Sequence, residues 1–338
     1  MSNRLNWIDT LKAICMVCVY IAHTESFTTS STILGKVVLP FYVNAFFFIS
    51  GYLLYNKYLK TNHIENFSLT MYKKGILNCI FKLAIPTVIF SILIYLPKIL
   101  FHGNAFNFST FTLEILGGTS FWFTSALFVA QLVILTLFLT KRKNILFYAG
   151  ITGIIFIIFQ SFCNYNTKPA IEYFPWFWRT GLNYSLVMTL GGLYKIYEDK
   201  PKRFVPYLAV VISIIGYYLI CSGHNVACFG LSGRTNTIGF LTSIATSLVL
   251  IEVVKRIKAN GVTDFIGKNS ILFYFLSGAT PATFATLSAK MNISSNLSFI
   301  ITLFLSMFCS YTITYIIVKY IPFLTDIRLI YNVRNKQN

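Results

Sequence analysis

Four ionisable residues crowd one apolar stretch near the N-terminus, WIDTLKAICMVCVYIAHTE: Asp9, Lys12, His23 and Glu25. Charge is costly in lipid, so such groups face a bundle interior or water, and they commonly mark a substrate path. On a helix, Lys12 and His23 return to within about 20° of the same azimuth, and Asp9 falls about 40° from His23. The stripe runs about 16 Å from Lys12 to His23 at 1.5 Å per residue. Interfacial anchors would account for the same residue types, but anchors have no reason to share one face. An aligned stripe suits a catalytic base instead. Imidazole, with an unperturbed pKa of about 6.5, can take a proton from a hydroxyl near neutral pH. Of the four histidines, His23 alone falls within or at the edge of a predicted helix; His63, His102 and His224 fall in loops. Glu25 is the nearer carboxylate for orienting the ring, because Asp9 lies about 21 Å away along the axis.

The elements that position these residues follow from composition. The chain has 338 residues, of which 56% are hydrophobic and only 11% charged, against about 25% charged in a soluble domain. A membrane-spanning helix needs about 20 apolar residues. That ruler predicts ten segments: 7–23, 37–55, 76–96, 120–140, 145–162, 181–197, 204–221, 236–254, 268–288 and 297–320. The expected fold class is therefore an all-α polytopic membrane protein, one domain over residues 1–338, with the first helix retained and not cleaved as a signal peptide.

The net charge of +18 comes without a nucleic-acid recognition motif. A cytoplasmic N-terminus leaves only Lys36, Lys98, Lys168, Arg179, Arg234 and Lys290 outside, with Lys12 and Lys82 within segments and the remaining Lys and Arg inside. This is the positive-inside pattern, and it places both termini in the cytoplasm. Cys15, Cys18, Cys79 and Cys309 fall in apolar segments; Cys163, Cys221 and Cys228 fall near outer loops, where a disulfide is left open. No cysteine pattern has metal spacing, and the metal-site expectation is none.

Several motifs are similar to the integral-membrane acyltransferase-3 family. Arg4-x-x-x-Ile8-Asp9-x-x-Lys12 followed by His23 resembles the family's opening signature of a basic residue, ten positions and a histidine. FFFISGYLLY resembles its second helix at Ser50 and Gly51. KKGILNCIFKLAIP, with Lys73, Lys74, Lys82 and Pro86, resembles its basic third helix, and FWFTSALFV its Trp-Phe segment at Trp122. Lys12 and Lys82 stand where arginine is usual, which keeps charge but loses bidentate pairing. Ser277 stands about where members carry a further histidine. The resemblance is to the stand-alone type, which is expected to lack a fused extracytoplasmic hydrolase-like domain.

The resemblance implies transfer of an acyl group, commonly acetyl from acetyl-coenzyme A, to a hydroxyl of a cell-surface or secreted glycan or its lipid-linked precursor. The acyl-coenzyme A is a donor substrate, not a permanently bound cofactor, and the expected location is a bacterial inner membrane. His23 would be the base, with Glu25 or Asp9 beside it. Arg4, Lys12, Lys73, Lys74 and Lys82 would meet donor phosphates, with Ser50 and Gly51 lining the donor path; Lys73 and Lys74 also satisfy the positive-inside rule alone, and Ser50-Gly51 also suits close helix packing. Lys82, about six residues inside its segment, would need a partner or a snorkelling route. On the outer side, FPWFWRTGLNYS offers Arg179 and Asn183 among aromatics for an acceptor sugar, with Trp122; the bland alternative is an aromatic belt. A transporter or flippase would use the same helix count and basic face, although no inverted repeat or pair of broken helices is visible. A member that has lost catalysis is the third reading, because of Ser277.

Overall fold

Prolines 40, 86 and 281 punctuate what hydropathy alone draws as continuous spans. The computed structural model describes residues 5–28, 32–59, 66–102, 107–142, 144–162, 175–198, 204–230, 234–326 and 328. Arg4, His63 and Cys163 lie outside the described residues. Helix α1 is Asn6–Thr28, and α2 is Ile33–Val38. Pro40 stops α2, since proline has no N–H to continue the ladder, and α3 begins beyond it at Tyr42–Leu59. The predicted 37–55 segment is thus two helices. Asn44 anchors the corner by donating its amide to the Pro40 carbonyl at 2.9 Å.

Helix α4, Leu69–Cys79, passes through a π turn, Ile80–Ala84, into α5, Ile85–His102. Pro86 cannot donate to the carbonyl of residue 82, and the π turn absorbs that missing bond. The short α6, Phe108–Phe111, precedes a second π turn at Thr112–Leu116. The remaining helices are α7 Trp122–Phe138, α8 Ile145–Phe162, α9 Trp178–Ile196, α10 Val205–Cys221, α11 Thr237–Val254, α12 Gly261–Lys268, α13 Ser270–Leu276, α14 Ala279–Lys290 and α15 Ser295–Tyr320. The predicted 268–288 segment is interrupted at Ser277–Gly278, because Pro281 leaves the residue-277 carbonyl without a helical donor.

Helix covers most of each of the ten predicted segments. Among the described residues, seven runs are long and apolar enough to cross a membrane; Ile145–Ser161 and Val205–Cys221 are shorter apolar helices. The more polar α9 carries Arg179, Asn183 and Lys195, which keeps it outside both groups. The chain is therefore a multi-pass, all-helical membrane protein over its described residues.

Contacts group the chain into two units. The first holds Met1–Phe46, Pro201–Phe229 and Thr235–Tyr320. Within it α1 packs against α2, α11, α12, α13, α14 and α15, so Leu11, Cys15 and Tyr20 are fully buried. On α15, Ser298, Thr302, Ser306, Ser310 and Thr314 recur every fourth residue and are all buried. That spacing lines one face. Ser310 meets Thr280 of α14 at 3.0 Å, and Ser298 meets Ser288 at 2.5 Å. Small hydroxyl residues of this kind let helices approach closely in lipid and pair across the contact.

The second unit holds Phe47–Lys200, Gly230–Arg234 and Ile321–Asn338. Here α9 packs against α7 and α8. The α3 residues from Phe47 onward press on α9 through glycines. A Cβ on Gly51 would collide with the Met188 backbone, and one on Gly191 with the Phe48 carbonyl. Phe47 and Tyr184 stack across the contact, ring centroids 3.9 Å apart. At one end, Tyr52 donates its hydroxyl to Glu198 at 2.8 Å, and Lys195 meets the same carboxylate at 2.7 Å.

Gly51→Ala should lower the thermal midpoint of the detergent-purified protein, at a cost of about 1–3 kcal/mol for overpacking a backbone contact. Gly150→Ala on α8, where a Cβ meets nothing within 4 Å, should leave it unchanged or raise it through helix propensity, by up to about 1 kcal/mol. Equal shifts in both variants would contradict the close α3–α9 contact.

Candidate functional site

The first unit holds the α1 stripe. Asp9 is only 3% exposed, because Gly267 lets α12 lie directly on the Asp9 backbone; a Cβ at Gly267 would collide with the Asp9 carbonyl. Lys12 and His23 are half-buried on the same helix. The Tyr20 hydroxyl donates to the Phe273 carbonyl of α13 at 3.0 Å, fixing α1 one turn before His23. The imidazole then stacks on Phe27, centroids 6.2 Å apart and 16° from parallel. Sequence reasoning missed Tyr20, since nothing in its spacing singles it out from other buried tyrosines. Ser277 is buried at the break in α13–α14 and donates to the Tyr274 carbonyl at 2.7 Å, so the position that lacks a second histidine serves the backbone.

Glu25 differs from the sequence expectation. Successive turns carry it about 200° around α1 from His23, away from the imidazole. Its carboxylate accepts the Thr32 N–H and lies over Gly35, where any Cβ would displace it. Glu25 therefore braces the start of α2, and the glycine two residues into that helix was the available signal.

The second unit holds the basic residues and the aromatic cluster. Lys73 and Lys74 are exposed on α4. Lys82, expected to be buried within its segment, is exposed in the π turn, because that turn shifts the register of the side chains around it. Arg328 adds a cation at this end of the helix. It donates to Asn78 at 2.7 Å, covers the Phe81 ring at 5.3 Å, and pairs with Asp326. That guanidinium holds the Asp326 carboxyl below the usual carboxylate range. Ser50 is half-buried, and Gly51 is the α3–α9 contact described above.

The start of α9 is strained. Trp176 and Phe177 both adopt left-handed backbone, φ 56° and 48°, at about 1–3 kcal/mol for each such residue. The Trp176 N–H donates to the Gly117 carbonyl at 2.7 Å, and its ring packs on Phe128 with centroids 5.3 Å apart. Gly118, itself at φ 67°, leaves room for the indole. One residue on, Trp178 meets Phe159 edge-on, and the Arg179 guanidinium lies 5.3 Å over the Trp178 ring. The Arg179 Nε is buried without a hydrogen-bond partner. One turn further, Asn183 is 0% exposed, and neither its amide nitrogen nor its oxygen has a partner. Two donors and an acceptor thus sit desolvated on one stripe of α9, each at about 1–3 kcal/mol. Trp122, half-buried at the start of α7, meets Phe123 edge-on at 6.2 Å.

Unpaired donors and acceptors of this kind suit hydroxyl groups, and flanking aromatic faces suit the apolar face of a sugar ring. Among the described residues, no group of three His, Cys, Asp or Glu is placed to hold a metal ion.

A family model described as an acyltransferase domain matches residues 5–318. No curated protein and no solved structure matches the chain. The matched span runs from before the α1 stripe through α15, across both units and nearly the whole chain. The chain belongs to the acyltransferase-3 family, and it is a multi-pass membrane acyltransferase.

Proposed function

We propose that this acyltransferase moves an acetyl or related acyl group from acyl-coenzyme A to a hydroxyl of a cell-surface or secreted polysaccharide, or of its lipid-linked precursor, in a bacterial plasma membrane. The observation that carries the reading is α1: a helix matched to the family that buries Asp9 and holds Lys12 and His23 on one side. In the proposed reaction, His23 accepts the proton of the acceptor hydroxyl as its oxygen attacks the thioester carbonyl. The C–S bond then breaks, the acyl group stays on the sugar oxygen, and the imidazolium returns its proton to the departing thiolate. A positioned base of this type contributes about 10²–10⁴ in rate.

The remaining roles follow from charge and hydrogen-bonding capacity. Lys73, Lys74 and Lys82 are exposed cations suited to the phosphates of coenzyme A, and Lys12 and Arg4 are the further cations of the N-terminal segment. Both termini are taken as cytoplasmic from the distribution of Lys and Arg, which puts these cations where the donor is made. Arg179 and Asn183, with Trp122, are the acceptor-binding residues, supported by the unpaired polar atoms of Arg179 and Asn183. A transport reading gains one observation. Two membrane segments are broken, at Leu39–Phe41 and at Ser277–Gly278, and discontinuous helices are a feature of secondary transporters.

Membranes given labelled acetyl-coenzyme A and a glycan acceptor should acylate the glycan, and His23→Ala should lower transfer at least about 100-fold at unchanged protein level. Undiminished transfer by the variant would remove His23 from the base role. Asn183→Leu separates binding from packing. It removes two unpaired polar atoms, so the thermal midpoint should hold or rise, while the acceptor KM rises and the donor KM stays. A destabilised variant with normal acceptor KM would assign Asn183 to the fold alone.

A further inference from the structure

A second candidate site lies in the first unit, away from the α1 stripe. Helices α10 and α11 pack closely where Gly216 meets Thr242 and where Thr246 meets the Ser213 hydroxyl at 3.4 Å. Toward the end that carries Pro206 and Val253, a cavity of about 680 Å³ lies between them. Tyr207 and Val210 of α10 and Val249 and Val253 of α11 form its apolar wall; Glu252 and Arg256 close it. Tyr207 is 74% exposed and Val253 50%, so in a membrane-spanning chain this wall faces acyl chains. Basic pockets between membrane helices commonly hold lipid headgroups.

The charges here are of both signs. Glu252 sits in the last turn of α11, and Arg256 lies two residues past its end. Lys255, between them in sequence, turns to the Trp7 ring at 5.2 Å and lies 4.0 Å from Glu252. Arg256 has no ion-pair partner among the described residues. A carboxylate has lone pairs for several donors, and a primary ammonium has three N–H groups to give. We infer that this groove binds a phospholipid through a phosphoethanolamine headgroup, with phosphate on Arg256, ammonium on Glu252 and one acyl chain along Val210, Val249 and Val253. An anionic headgroup without an amine would set its charge against Glu252. A choline headgroup carries the positive charge but donates no hydrogen bond. The inference stands apart from the acyl-transfer reading and survives its failure.

Native mass spectrometry of the full chain, purified and titrated with phosphatidylethanolamine, phosphatidylglycerol or phosphatidylcholine, tests it. The expected result is about tenfold tighter binding of phosphatidylethanolamine than of either other lipid. Glu252→Gln should bring it down to the phosphatidylcholine level, and Arg256→Gln should weaken all three. Where a charge variant is not monodisperse, Val210→Trp carries the test by filling the groove while keeping both charges, and it should abolish the preference. Phosphatidylglycerol binding as well as phosphatidylethanolamine, or a preference unchanged in Glu252→Gln or Val210→Trp, would overturn the assignment.

Discussion

The charged stripe of an otherwise apolar first helix cannot face lipid, and the first unit is arranged around that constraint. Hydrocarbon offers α1 no partner for Asp9 or Lys12, so other helices enclose it. Gly267 allows α12 to touch the Asp9 backbone, and Tyr20 ties α1 to a carbonyl of α13. The interruption at Ser277–Gly278 follows from Pro281, and Ser277 settles part of the backbone there with its own hydroxyl. Glu25 continues the same logic at the far end of α1. Its charge meets the Thr32 N–H, so α2 is held next to the turn that carries His23.

Polar groups are treated in two ways across the protein. Most buried hydroxyls are closed locally, as in the α14–α15 pairs Thr280–Ser310 and Ser288–Ser298. Arg179 and Asn183 are among the groups left unpaired, with hydroxyls such as Ser91 and Thr302, and what sets them apart is that they follow two left-handed aromatic residues. Strain and unpaired polarity at one place are costs that the fold itself does not require. Such costs persist at sites that meet a ligand. The acceptor proposal rests on that contrast, whereas the basic residues of α4 and its π turn are exposed and carry a weaker structural signal.

Element lengths were legible because hydropathy reports directly on how much chain fits a bilayer. Helix covers most of each predicted segment, and seven runs are long and apolar enough to cross a membrane among the described residues. The misjudged details concern azimuth and interruption. Pro40, Pro86 and Pro281 were visible as residues, yet hydropathy averages over them, so the α2–α3 corner and the π turn that exposes Lys82 were not anticipated. Glu25 was paired with His23 by proximity in sequence, although residues two apart on a helix point to nearly opposite sides. The backbone partners of Tyr20 and Trp176 come from distant segments, and no local pattern encodes them. Arg179 and Asn183 were legible as residue types in an aromatic setting; their lack of partners could only come from packing.

The proposal is that this membrane acyltransferase moves an acyl group from acyl-coenzyme A to a glycan hydroxyl. The most direct measurement uses purified protein in proteoliposomes with isotopically labelled acetyl-coenzyme A and a hydroxyl-bearing polysaccharide. Free coenzyme A thiol and acetyl ester on the glycan are followed together. The account predicts ester and thiol appearing in equal amounts, dependent on the protein. Passage of either compound across the bilayer with no ester formed would contradict it.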